Sequence, residues 1–185
     1  MPLITIFLSL KTVPNIGLAI NSTEVFYLII ILSTIILPLC SILLLKNLEL
    51  VSSLEMTNRK ERPLPLLITA ISIIFGYYFI NDVLIFFPLL LRNEILGAIF
   101  LIVAASFISR YWKISLHMLG IGGVVGVLLS LNFLFGNLSN LLIIFVLASG
   151  VLGYARLKEK AHSKTQIYTG FIIGVFVEVF CVLFL

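Results

Sequence analysis

Two histidines and several arginines stand out in this chain because they lie in short polar breaks between long apolar runs. Arg62 ends the first break, His117 follows the second, and Arg156 and His162 lie in the third. An arginine holds a phosphate group through a planar fork of two parallel hydrogen bonds. A histidine acts near neutral pH as a nucleophile or as a proton donor. These residue types together predict phosphoryl chemistry.

Further polar residues in the three breaks could surround the same phosphate group. The whole candidate set consists of Glu55, Asn58, Arg59, Arg62, Ser115, His117, Arg156, His162 and Gln166. A second interpretation needs no chemistry at all. The basic residues then mark only the cytosolic side of a membrane protein, and each histidine lies at a helix interface.

The composition places the chain among membrane proteins. It has 185 residues, of which 61% are hydrophobic and only 11% are charged, outside the usual range for soluble globular domains. The formal charge of +4 comes from residues in the breaks, so nucleic-acid binding is disfavoured. Cys40 and Cys181 lie inside apolar runs, so a disulfide framework or a thiolate metal site is not expected.

A membrane-spanning helix needs about 20 mostly apolar residues, and six segments of the chain meet this requirement. They are Val25 to Leu45, Leu64 to Ile80, Ile95 to Ser109, Ile114 to Phe135, Leu138 to Ala155 and Ile167 to Leu185. Strands are disfavoured because the segments do not alternate in polarity and because unpaired strand edges are not tolerated in lipid. We therefore expect one all-α domain over residues 1–185, a polytopic bundle of about six transmembrane helices.

Two shorter apolar segments do not fit this pattern. Residues 1–24 are interrupted by Lys11 and Pro14, which is compatible with a kinked span, a re-entrant segment or an interfacial helix. This segment lacks the basic start and the cleavage site of a secretory signal, so we expect it to be retained. The segment from Val83 to Arg92 carries Pro88 and is interpreted as a turn or an interfacial segment.

The three breaks are separated by two helices each, so all three are expected at one face of the membrane. That face collects Lys46, Arg59, Lys60, Arg62, Arg110, Lys113, Arg156, Lys158, Lys160 and Lys164, whereas the opposite loops offer Arg92. The positive-inside rule predicts that the shared face is cytoplasmic. We expect an integral, multi-pass protein of the bacterial cytoplasmic (inner) membrane.

Other features of the apolar runs concern helix packing. Small residues recur at a spacing of four in three pairs, which are Gly122 with Gly126, Ser149 with Gly153, and Gly170 with Gly174. This spacing predicts close approach of helices in lipid. Glu178 lies deep in the last span, where a carboxyl must be neutral, paired or hydrated. It is interpreted either as a functional acid or as a residue close enough to the far face to reach water.

The breaks resemble the signatures of the type 2 phosphatidic acid phosphatase superfamily. Arg156, five residues, His162, three residues and Gln166 resemble its third signature, Ser-Arg, five residues, His, three residues, Asp. The segment Ile114 to His117 is similar to its Pro-Ser-Gly-His signature, and Glu55 to Pro63 is similar to its Lys, six residues, Arg-Pro signature. The resemblance covers roughly Glu55 to Gly174, as in a short bacterial-type member with divergent motifs.

The resemblance implies a fold, a reaction and a set of roles. His162 would be the phosphoryl-accepting nucleophile and His117 the proton donor to the leaving alcohol. The phosphate group would be held by Arg62, Arg156 and Ser115, with Asn58 and Arg59 beside them. The implied activity is hydrolysis of a lipid phosphate or pyrophosphate at the headgroup level, without a cofactor and with membrane lipids as the surroundings.

Three positions depart from the family pattern. Glu55 replaces a lysine, Leu116 a glycine, and Gln166 the aspartate that orients the nucleophilic histidine. One account is that Glu55 supplies the missing carboxylate and orients His162 from another helix end. A second treats Glu55, His117 and His162 as ligands of a divalent metal, which makes the protein a metal-dependent lipid-modifying enzyme. A third treats the protein as a catalytically inactive module that binds lipid or a partner protein.

Overall fold

The computed structural model describes residues 2–13, 16, 23–53 and 58–185. Within these ranges the chain is helical and contains no strand, as the sequence predicts. The helices are α1 (Pro2–Thr12), α2 (Thr23–Asn47), α3 (Pro63–Val83), α4 (Leu89–Tyr111), α5 (Leu116–Phe135), α6 (Ser139–Lys158) and α7 (Lys164–Phe184). Six of them, α2 to α7, are long and apolar enough to cross a membrane. The expected all-α membrane bundle is confirmed.

Local sequence signals set the ends of these helices. Pro63 and Pro65 occupy the first turn of α3, where the missing backbone N–H group costs nothing. The Ser115 hydroxyl accepts a hydrogen bond from the Met118 backbone and caps α5, which ends at Gly136 in a conformation with φ of 70°. Prolines and capping serines therefore define the polar breaks.

One expected boundary differs from the sequence prediction. The segment Val83 to Arg92 is not a turn throughout, because α4 already begins at Leu89. Pro88 directly precedes the first helical residue, a position that suits proline because it lacks a backbone donor. Only residues 84–88 connect α3 to α4, so α4 is longer than expected and takes Glu94 into the bundle.

Helices α5 and α7 form the central pair of the bundle. A Cβ atom added at Gly126 would lie 2.6 Å from the Val175 carbonyl oxygen, and one at Gly170 would lie 2.9 Å from the Ser115 carbonyl oxygen. Gly122 and Gly174 make the same kind of backbone approach, to Phe171 and Leu119. The predicted packing role of these two glycine pairs is confirmed. This close contact fixes α5 relative to α7. His117 lies in the first turn of α5, and His162 lies just before the start of α7.

The short helix α1 packs inside the bundle. Ile6 and Ser9 are fully buried, and Val13 packs against Leu131 and Leu138, at the end of the bundle opposite the polar breaks. A helix of 11 residues is about 16 Å long, roughly half of the hydrocarbon core of a bilayer. Helix α1 therefore starts at mid-depth beside α4 and α5.

Helix α6 lies at the edge of the bundle. Among the described residues of this helix, only Ser149 and Gly153 are buried. A Cβ atom at Gly153 would make ordinary contact with Ile167 of α7, whereas one at Gly150 would meet open space. The Ser149 and Gly153 pair is therefore the contact face, and most of α6 faces outward.

Candidate functional site

The three polar breaks meet at one end of the bundle. The Ser115 backbone N–H donates a hydrogen bond to the Gln166 carbonyl oxygen at 3.4 Å, which joins the second break to the third. Arg62 Nη1 donates to the Ile114 carbonyl oxygen at 3.1 Å, which joins the first break to the second. The shared location that the span count predicts is therefore present in the fold.

Two arginines of the first break bind carbonyl groups at the end of α4 and just after it. Arg59 Nη1 donates to the carbonyl oxygen of Tyr111, the last residue of α4, and Arg62 donates to Ile114. Cations are favourable at a helix C-terminus because the last carbonyl groups carry partial negative charge. The Asn58 side chain is exposed and accepts a hydrogen bond from the Lys60 backbone at 3.1 Å. It caps the short 3₁₀ turn Arg59–Glu61.

Arg62 is the residue that connects the two histidines. Its side chain is only 6% exposed, and its positive charge acts on both His117 and His162. A guanidinium group remains charged at any working pH. The structure thus brings Arg62, His117 and His162 into one electrostatic environment, as expected from their helix ends.

Arg156 contacts His117 across the α5–α6 boundary. Arg156 Nη2 lies 3.3 Å from His117 Nε2, and Nη1 forms an ion pair with Glu159 at 3.0 Å. Because a guanidinium group can only donate hydrogen bonds, His117 Nε2 is the acceptor and the ring is neutral with its proton on Nδ1. The buried Nε of Arg156 has no hydrogen-bond partner among the described residues. The Nε donor of this arginine is therefore unused by the described residues.

His162 is oriented by Gln166. Its Nδ1 lies 3.0 Å from Gln166 Oε1, and the same oxygen accepts a hydrogen bond from the Ser163 backbone at 3.2 Å. Since Oε1 is an acceptor, Nδ1 is the donor in the neutral ring, and the lone pair lies on Nε2. This is the nitrogen that an attack on phosphorus requires.

Gln166 also has a structural role that the sequence interpretation missed. Ser163 caps α7, and Gln166 is the third helical residue, so the two residues form a reciprocal capping box. The signal was present in the sequence as Ser, two residues, Gln. The side chain therefore both starts α7 and orients His162.

The pKa of His162 is lowered. Partial burial of the ring is the largest cause, and the positive charges of Arg62 and Lys113 act in the same direction. The hydrogen bond to Gln166 opposes the shift. The neutral, nucleophilic form of His162 is thus favoured.

The remaining candidates differ in their placement. Ser115 is fully buried and caps α5, so its hydroxyl is already used within the fold. Glu55 lies outside the described residues. The described part of the chain contains no group of three His, Cys, Asp or Glu residues placed to hold a metal ion. Lys113 and Glu159 belong to the site although the sequence analysis did not name them as site residues. The spacing of three between Arg156 and Glu159, at the end of α6, was the available sequence signal for Glu159.

No known protein family, curated protein or solved structure matches the chain.

Proposed function

We propose that the protein is a lipid phosphate phosphatase of the membrane surface, with His162 as the nucleophile. The observation that carries the proposal is the meeting of the three breaks, where buried Arg62 binds the Ile114 carbonyl oxygen and its positive charge acts on both histidines. Arg156 adds a second guanidinium group in contact with His117. Two cationic forks and two imidazole rings suit a phosphate monoester.

The proposed reaction has two steps. In the first, His162 Nε2 attacks phosphorus, the bond from phosphorus to the lipid oxygen breaks, and His117 donates a proton to the leaving alcohol. In the second, water attacks the phosphohistidine, His117 accepts a proton from that water, and inorganic phosphate leaves. The bound phosphate group competes with His117 for Arg156, which frees Nε2 of His117 to take up a proton beforehand.

The positive charge of the site supports the proposal. The positive charges of Arg62 and Arg156 act on His117, and those of Arg62 and Lys113 act on His162. A cleft of one charge raises the local concentration of an oppositely charged substrate. In the proposed membrane orientation this end faces the cytoplasm. The substrate headgroup would enter there while its chain stays in the lipid.

The test is phosphate release from mixed lipid phosphates in detergent, with and without a chelator. We expect release that is unaffected by the chelator and that falls at least about a thousandfold in His162→Asn. Lys164→Gln is the matched control, because this residue is exposed and lies two positions away in the first turn of α7. The control should retain activity.

Three results would contradict this mechanism. Release that the chelator abolishes would favour a metal-dependent reaction through Glu55, His117 and His162. An absence of release from every lipid phosphate, together with retained binding of those lipids, would favour a binding module on the same fold. Full activity in His162→Asn would remove His162 from the reaction.

A further inference from the structure

A second polar cluster lies inside the bundle, away from the phosphate site. Glu94 of α4 and Glu178 of α7 are only 2% and 4% exposed. Each lies within a helix that is long and apolar enough to span a membrane. The proposed phosphatase reaction uses neither residue.

The two carboxyl groups differ in how they are satisfied. Glu94 Oε1 accepts a hydrogen bond from the Ser9 hydroxyl group of α1, while its Oε2 atom has no partner among the described residues. Glu178 has no hydrogen bond or ion pair with any described residue, and its Oε2 atom is buried without a partner. A buried polar group without a partner is costly in a protein interior. Glu178 is therefore the one of these two carboxyl groups that has no hydrogen bond to any described residue.

The neighbouring helices leave room for this carboxyl group. A side chain at Gly97 of α4 would collide with Glu178 Oε2, and a Cβ atom at Gly126 of α5 would lie 3.0 Å from Glu178 Cβ. Gly123 lies beside the same side chain. Three glycines from two helices thus border the carboxyl group, which is held in place by packing instead of hydrogen bonds.

A cavity leads from Glu178 toward the end that carries the phosphate site. Its volume is about 190 Å³, and its walls come from α1, α3, α4, α5 and α7. On α5 the lining residues extend from Leu116 to Val124, about 12 Å along the helix axis. Thr5 and Glu178 are the polar side chains among the described lining residues, and the others are apolar or glycine. No lysine, arginine or histidine is among them.

We propose that this cavity binds a single-chain hydrophobic amine, with its amino group at Glu178 and its chain along the apolar walls. A neutral amine enters from the lipid and takes the proton from Glu178, so that the O–H bond of the acid breaks and an N–H bond forms. The resulting ammonium–carboxylate pair has no net charge. Among the described residues, Glu94 on α4 and Cys181 on α7 are titratable side chains near Glu178.

The single tryptophan of the chain makes the proposal measurable. Trp112 packs against the cluster of Leu101, Ala105 and Leu119, which also line the cavity. A medium-chain alkylamine that carries bromine at its far end would place the bromine near Trp112 when its amino group is at Glu178. Saturable quenching of the Trp112 fluorescence, reversed by the unbrominated amine, is the expected result.

The controls separate a specific site from partition into detergent. The bromoalkyl alcohol of the same length should bind at least about tenfold more weakly than the amine, because it cannot form the ion pair. Glu178→Gln should weaken amine binding by a similar factor and leave alcohol binding unchanged. Ala98→Leu, which fills the cavity from α4 and leaves the Glu178 side chain unchanged, should weaken both ligands, and its thermal unfolding should show that the bundle is intact.

The proposal is overturned if amine and alcohol quench equally, since the cavity then takes any alkyl chain. It is also overturned if Glu178→Gln folds and retains full amine affinity. If Glu178→Gln does not fold, undiminished amine binding by folded Ala98→Leu overturns it. Loss of phosphatase activity in His162→Asn has no bearing on this binding, so the two proposals fail separately.

Discussion

At the scale of single residues, Gln166 shows how one side chain combines two tasks. Its Oε1 atom accepts hydrogen bonds from His162 and from the Ser163 backbone. In the family resemblance, the Gln166 amide is only a replacement for an aspartate carboxylate. The spacing of Ser163 and Gln166 separately predicts a capping box. The contact between Arg156 and His117 followed from a shared face, whereas the effect of Lys113 on His162 depends on a backbone turn that no local pattern indicates.

Gln166→Glu should change the pH dependence of turnover and leave the fold intact. Glutamate is also a capping-box residue, so α7 should start as before. A carboxylate beside His162 stabilises the imidazolium form and raises its pKa, so the acid limb of kcat/KM should move upward by about one pH unit. In the wild-type protein this limb should lie below the usual histidine pKa, since burial lowers the pKa of His162.

Profiles of kcat/KM against pH for both proteins measure this shift. Gln166→Ala is the companion variant, because it removes the capping interaction together with the His162 contact. It should lose stability as well as activity. An acid limb at the same pH in the wild type and in Gln166→Glu would contradict the orienting role of this residue.

At the scale of elements, hydrophobicity predicted the six spans. The ends of the helices depend on prolines and capping residues, which a hydrophobicity profile does not identify. The segment around Pro88 reads as a turn because proline interrupts an apolar run, yet it starts α4. The expected span began at Ile95, so the burial of Glu94 in the bundle near Glu178 was not predicted. Helix pairing was predictable only where glycines mark it, as between α5 and α7.

Gly174→Ala should destabilise the bundle, because the new methyl group would collide with the Leu119 carbonyl group of α5. Overpacking of this kind reduces the free energy of unfolding by about 1–3 kcal/mol. Gly150→Ala is the matched control on the exposed face of α6, where a Cβ atom meets open space. It should be neutral or stabilising by up to about 1 kcal/mol. Thermal unfolding in detergent compares the two, and equal effects would contradict the packing role of Gly174.

At the scale of the whole molecule, the end that carries the proposed phosphate site also carries most of the basic residues. Lys158 and Asn140 lie near opposite ends of α6, and both are exposed. In a background without Cys40 and Cys181, Lys158→Cys should react with an impermeant thiol reagent only after the membrane is opened. Asn140→Cys should react in intact cells. The reverse pattern would place the site on the outer face.

The outward position of α6 gives the bilayer itself an influence on Arg156. This helix of 20 residues is about 30 Å long, and it contacts the bundle mainly through Ser149 and Gly153. A bilayer that is too thick or too thin tilts a helix at modest cost, and α6 has fewer protein contacts to resist the tilt than α5 or α7. Tilting would move Arg156 away from His117. Turnover in reconstituted bilayers should therefore peak at one acyl-chain length and fall in shorter and longer lipids, and a flat profile would show that Arg156 is held without help from the lipid.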